Sequence, residues 1–149
     1  MENIRKSVIA GSWYPGDPAV LRREIEEYFR KVPVREISGE VAGLIAPHAG
    51  YRYSGQVAAY AYNLVRGKKY DGVVLIGPSH RVAFPGVSVW GSGAFETPLG
   101  LVPVHEALVR EISRFDKNII DFPAAHAQEH SLEIQLPFLQ VALGDFSFV

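Results

Sequence analysis

Two histidines stand in matching surroundings and are the residues most suited to chemistry. His48 closes LIAPH (44–48) and His80 closes VVLIGPSH (73–80), each an apolar run that passes through proline into an imidazole. A neutral imidazole is a metal ligand, a general base or a plain hydrogen-bond partner. Alone, either one is explained by a bond to a loop carbonyl. As a pair in equivalent positions they converge on one ion or one substrate, and proline before each stiffens the exit.

Other residues compete for a chemical role. His126-Ala-Gln-Glu-His130 matches H-x-x-E-H, an inverted zinc-protease signature, but that motif belongs inside a long helix and FPAAHAQEH opens one instead. In the preferred reading Glu129, His130 and Ser131 sit at a helix start. Glu129 or Ser131 caps amides there, and His130 faces the cleft as a supporting donor or an acid/base group; a purely structural cap is the alternative. Trp13, Tyr14, Tyr51 and Tyr53 combine apolar faces with polar tips, so they are candidates to wall a substrate pocket, Tyr51 also for proton transfer. Burial of Trp13 and Tyr14 as ordinary core is the competing reading, and His105 reads as a solvated surface residue.

Positioning these groups calls for alternating strands and helices. Asp17-Pro18 predicts a helix over 18–31, and a polar turn over 35–40 precedes the apolar run VAGLIA. Strand 41–46, a helix over 55–66 capped by Ser54 and ended by Gly67, and strand 72–77 form one crossover unit, which predicts an adjacent parallel pair. His48 and His80 then leave neighbouring strands at the carboxyl edge, where α/β sheets place their crevices, with ends about 5 Å apart. VSVW (87–90) reads as a strand, AFETPLGLVPV as irregular extended chain and 103–115 as a helix. A last helix starts near 129–131 and is bent by Pro137.

Composition sets the bounds. The chain has 149 residues, 48% hydrophobic and 21% charged, enough for one globular core. A net charge of −1, with fifteen basic and sixteen acidic residues spread along the chain, offers no footprint for nucleic acid or an anionic membrane. The amino terminus has no signal-peptide core and no run is long enough to span a bilayer, so a cytoplasmic location is expected. Without cysteine, any metal must be held by His, Asp, Glu or water. There is no GxSxG, P-loop or GxGxxG.

Five blocks, AGSWYP (10–15), APHAGYRYSG (46–55), GPSH (77–80), FETPLG (95–100) and EHSLEIQLPF (129–138), resemble in order and spacing the Memo family, the B component of the AmmeMemoRadiSam group. The resemblance implies a single α/β domain, a three-layer sandwich with a largely parallel central sheet, similar to class III extradiol ring-cleavage dioxygenases. It implies that His48 and His80 match two metal-ligating histidines, with Fe(II) the expected metal and copper or zinc possible. The family's third ligand, a cysteine in animal members and a carboxylate in the dioxygenases, is expected beyond Val149. His130 and Tyr51 are then candidate catalytic residues, and Trp13, Tyr14, Tyr51, Tyr53 and Glu129 line a substrate site. Animal members are associated with phosphotyrosine-peptide binding, which gives a non-catalytic peptide-binding module as the alternative to a metal-dependent oxidoreductase. Memo-like proteins are considerably longer, so the chain reads as C-terminally incomplete. An uncovered strand edge at FSFV (146–149) predicts a homo-oligomer or a companion chain.

Overall fold

A computed structural model describes residues 3–34 and 37–149, and the first helix begins where its capping signal stands. The Asp17 carboxylate accepts from the Val20 amide at 2.9 Å, and Pro18 occupies the first turn, where a missing N–H leaves no bond unmade. Helix α1 (Pro18–Arg30) buries Leu21, Ile25 and Phe29. Of the turn expected over 35–40, Arg35 and Glu36 lie outside the described residues. Helix α2 (Tyr51–Tyr62) starts earlier than expected, because Ser54 lies inside its first turn and donates to the Ala49 carbonyl instead of capping. A 3₁₀ turn over Asn63–Val65 leads to Gly67, whose φ of +75° is the left-handed geometry that ends a helix.

Among the described residues, five short strands follow the sequence order: β1 (Ile4–Arg5), β2 (Val87–Val89), β3 (Ala94–Thr97), β4 (Gly100–Pro103) and β5 (Ile119–Asp121). β1 pairs parallel with β3 and β2 pairs parallel with β5, while β3 and β4 form an antiparallel hairpin with Phe95 opposite Val102. The segment expected to be irregular is therefore this hairpin, turned by Gly100 at φ +117° and by Thr97, whose hydroxyl accepts from the Leu99 amide. Because Gly100–Pro103 belong to β4, helix α3 (Glu106–Phe115) begins later than 103. His105 is its cap and not a solvated bystander: Nδ1 accepts from the Leu108 amide at 3.2 Å. Helix α4 (Pro123–His126) is a single turn, and a 3₁₀ turn over Glu133–Gln135 leads into α5 (Leu136–Leu143). Pro137 thus opens a helix rather than bending one, the place where proline is best tolerated.

The strands expected over 41–46 and 72–77 are not formed, and among the described residues no ladder joins the two segments. Val73–Leu75 instead pair parallel with Ser147–Val149, through Val73 N to Ser147 O at 3.0 Å, Val149 N to Val73 O at 2.9 Å and Leu75 N to Val149 O at 2.8 Å. Phe148 bonds Pro103 and His105 on its other side. Leu44, Ala46, Val73 and Leu75 pack on the core formed by α1, α2 and α5, where Leu21, Ile25, Ala58, Tyr62 and Phe138 are buried. A second core of Val89, Phe95, Val102, Val109 and Phe148 joins the hairpin to α3. The result is a mixed α/β fold with sheets that contain parallel pairs. No helix among the described residues is long and apolar enough to cross a membrane.

Candidate metal centre

His48 and His80 meet without the predicted ladder, their ring centroids 5.3 Å apart. A third ring, that of His130, lies 4.6 Å from His80 and 5.9 Å from His48. One nitrogen from each of the three falls within 4.8 Å of the others. Nitrogens at about 2.1 Å from a common ion are about 3.4 Å apart in tetrahedral geometry, so closure needs rotations of roughly 1 Å. Burial lowers the His130 pKa from 6.5; Glu129 pulls it back up, and the neighbouring His80, His48 and Arg81 lower it further, so the net direction is down. Its imidazole is neutral at pH 7 and able to ligate.

The carboxylate of Glu129 orients this cluster. Its Oε1 contacts His80 Nδ1 at 2.9 Å and accepts from the amides of His130 and Ser131 at 2.8 and 2.9 Å; Oε2 accepts from the His80 amide at 2.5 Å. Burial pushes its carboxyl up, but these hydrogen bonds outweigh burial and hold the pKa at about 2. An ionised acceptor against Nδ1 requires Nδ1–H, which leaves His80 Nε2 as the free lone pair. A carboxylate behind a histidine is the usual support of a metal-binding imidazole. Glu129 keeps the capping role read from the sequence and directs it at the site.

One short segment, 129–135, arranges both histidine exits. Ser131 Oγ donates to the Pro78 carbonyl at 2.8 Å and Gln135 Nε2 to the Pro47 carbonyl at 3.2 Å, so each proline preceding a histidine is held by a side chain of this segment. Gly77 permits the approach, since a Cβ there would sit 2.7 Å from Ser131 Oγ. The segment is itself anchored by Arg5 and Glu133, a pair the sequence reading missed. Arg5 Nη1 bonds the Glu133 carboxylate, Nη2 the Glu129 carbonyl and Nε the His126 carbonyl, the last at 3.1 Å. Glu133, wholly buried, also accepts from Ser7 Oγ at 2.6 Å, Tyr14 Oη at 2.7 Å and the Val8 and Ile9 amides. A lone charged residue within the apolar run LEIQLPFL was the available signal.

The aromatic candidates separate. Trp13 is 4.3 Å from His130 between ring centroids and 37% exposed, a wall of the cluster. Tyr14 and Tyr51 lie elsewhere, each 3% exposed in the core. Tyr14 serves Glu133, and the Tyr51 hydroxyl donates to the Ile134 carbonyl at 3.0 Å. Burial raises both phenol pKa values, with Glu133 adding to the rise at Tyr14 and the neighbouring phenols at Tyr51, so neither offers a proton near neutral pH. Tyr53 is 81% exposed on α2. The H-x-x-E-H pair is split: His126 Nε2 bonds Ser88 Oγ at 2.8 Å while His130 joins the other cluster, because the chain turns after α4 and the two share no helix.

Comparison with known proteins places the chain in a family. The family model described as "Memo-like protein" matches residues 5–149. MEMO1 family proteins of Thermoplasma volcanium, Thermotoga neapolitana and Methanothermobacter thermautotrophicus are 39%, 41% and 42% identical over 98% of the chain. The chain spans about half the length of these curated relatives, 54%, 56% and 55% respectively. With a match over nearly its whole length, the chain belongs to the Memo-like protein family.

Proposed function

We propose that His48, His80 and His130 hold a divalent metal, iron(II) first among the candidates, and that the chain serves dioxygenase-like oxidoreductase chemistry on a small substrate. The observation that carries this reading is the convergence of three imidazoles, one backed by a buried ionised carboxylate. The donor set fits: neutral nitrogen ligands with room left for water suit a borderline divalent ion. When bound, iron(II) supplies redox chemistry with dioxygen. The residues of the chain do the rest. Glu129 fixes the His80 tautomer, Ser131 and Gln135 hold the two exits, and Trp13 covers His130. The reading carries with it a three-layer arrangement like that of the extradiol dioxygenases.

The test is elemental analysis of protein purified without chelator, followed by oxygen uptake with catechol after anaerobic loading with iron(II). Near-stoichiometric iron with uptake is the expected result. Stoichiometric zinc or copper without uptake would remove the oxidoreductase reading and leave the metal site. Failure to retain any of the three metals would remove both.

A further inference from the structure

His48 and the helix that follows it are joined in a closed path through Gln135. Helix α2 begins three residues after His48 and ends at Tyr62. Side chains of a helix lean toward its N-terminus, so a ring at the last position of α2 reaches back toward the end that carries His48. That ring is clamped. It stacks on Phe138 with 5.3 Å between centroids and 15° between planes, and Tyr62 is only 4% exposed. Its hydroxyl donates to Gln135 Oε1 at 2.6 Å. The other end of the same amide, Nε2, donates to the Pro47 carbonyl at 3.2 Å and to the Ser131 carbonyl at 3.4 Å.

These partners admit one orientation of the Gln135 amide. The carbonyl oxygens of Pro47 and Ser131 only accept, so they require Nε2. Oε1 is left to face Tyr62, which must then donate. Burial raises the Tyr62 pKa above the ordinary phenol value of 10.0, so the donor keeps its proton. Without that hydroxyl, an amide oxygen shielded from water would have no donor and the amide would be driven to turn. The two histidine exits are thus held unequally. His80 has its ring and its amide on Glu129 and its exit tied by Ser131. The exit of His48 is tied by Gln135, whose own orientation depends on Tyr62.

We propose that Tyr62 is a positioning residue for His48: its hydroxyl fixes the Gln135 amide, the amide holds the Pro47 carbonyl, and the imidazole is thereby set beside those of His80 and His130. The consequence for metal affinity rests on the metal reading above, whereas the placement of the ring does not. A purely structural hydroxyl would stabilise the shared core, as the buried side chain of Ile25 does, without reference to His48.

The test compares Tyr62→Phe and Gln135→Met with Ile25→Val, which loosens packing in the same core without touching Gln135. Two readouts are taken at a temperature where every variant is folded. Carbon-13 relaxation reads the motion of the histidine rings in metal-free protein, and competition with a chromophoric chelator reads zinc(II) affinity. In Tyr62→Phe and in Gln135→Met the His48 ring should gain motion while those of His80 and His130 do not, and zinc should bind about tenfold more weakly. Ile25→Val should show neither change. An unaltered His48 ring in Tyr62→Phe would overturn the proposal, as would equal loosening of all three rings or the same change in Ile25→Val. Wild-type zinc affinity in Tyr62→Phe would overturn it as well. Wild-type protein that binds no zinc would count against the metal reading alone, and the motion of the His48 ring then decides the positioning role.

Discussion

The segment 129–135 and the apolar cavity of about 640 Å³ lined by residues 74–79 and β2 lie next to one another and solve the polar problem in opposite ways. In the first, a buried arginine, two buried glutamates, a serine and a glutamine are tied to main-chain groups or to each other. In the second, main-chain groups of Leu75, Gly77 and Ser88 border an apolar gap without partners among the described residues. A satisfied network fixes side chains to within a fraction of an ångström, as a metal centre requires. Groups without partners hold nothing in place.

The sharpest way to break this contrast is to remove one member of the buried pair. Glu133→Ala leaves the Arg5 guanidinium buried without its counter-charge and should cost about 3–5 kcal/mol, measured by urea denaturation. If stability barely moves, the network is not what holds 129–135. Next in size, His48→Ala with His80→Ala should abolish metal retention in elemental analysis, while the metal-free melting temperature changes little. A large loss in the apo protein would make the cluster structural. Glu129→Gln should weaken metal binding about 10- to 100-fold, the usual effect of removing the carboxylate behind a ligating histidine.

Acid gives a subtler probe. Burial pushes the Glu133 carboxyl up, but Arg5 and the hydrogen bonds from Ser7 and Val8 outweigh that and hold it below its ordinary 4.5. A folded pKa below the unfolded one means the stabilisation is fully present above the ordinary value and is lost as pH falls through the folded one. Stability should therefore decline on acidification from about pH 5 downward, and less steeply in Glu133→Gln. The smallest effect belongs to the other region. Val87→Lys at the rim of the apolar cavity should change unfolding free energy by no more than about 0.5 kcal/mol, since it breaks no buried bond.

Local signals identified much of this in advance. Asp17-Pro18 set α1, the two apolar runs into proline and histidine marked the site, and the block EHSLEIQLPF carried the residues that organise it. The sequence paired His48 with His80 through an expected ladder between 41–46 and 72–77; the rings do stand 5.3 Å apart, but no such ladder joins the two segments among the described residues. Spacing could not reveal that His130 would stand 4.6 Å from His80, since that depends on the chain turning after α4. The tyrosines illustrate the limit from the other side. Tyr14, Tyr51 and Tyr53 have the same chemistry in sequence, and only packing put two in the core and one in solvent.

By itself, then, the sequence determined the family, the start of α1 and the histidines at the ends of the two apolar runs, since capping, periodicity and motif order are encoded within a few residues of each other. Tertiary structure decided which strand pairs with Val73–Leu75, how Arg5 reaches Glu133 across 128 positions, and which imidazole completes the cluster. Those are contacts between distant segments, chosen by the joint satisfaction of buried polar groups and apolar area, and no local pattern specifies them.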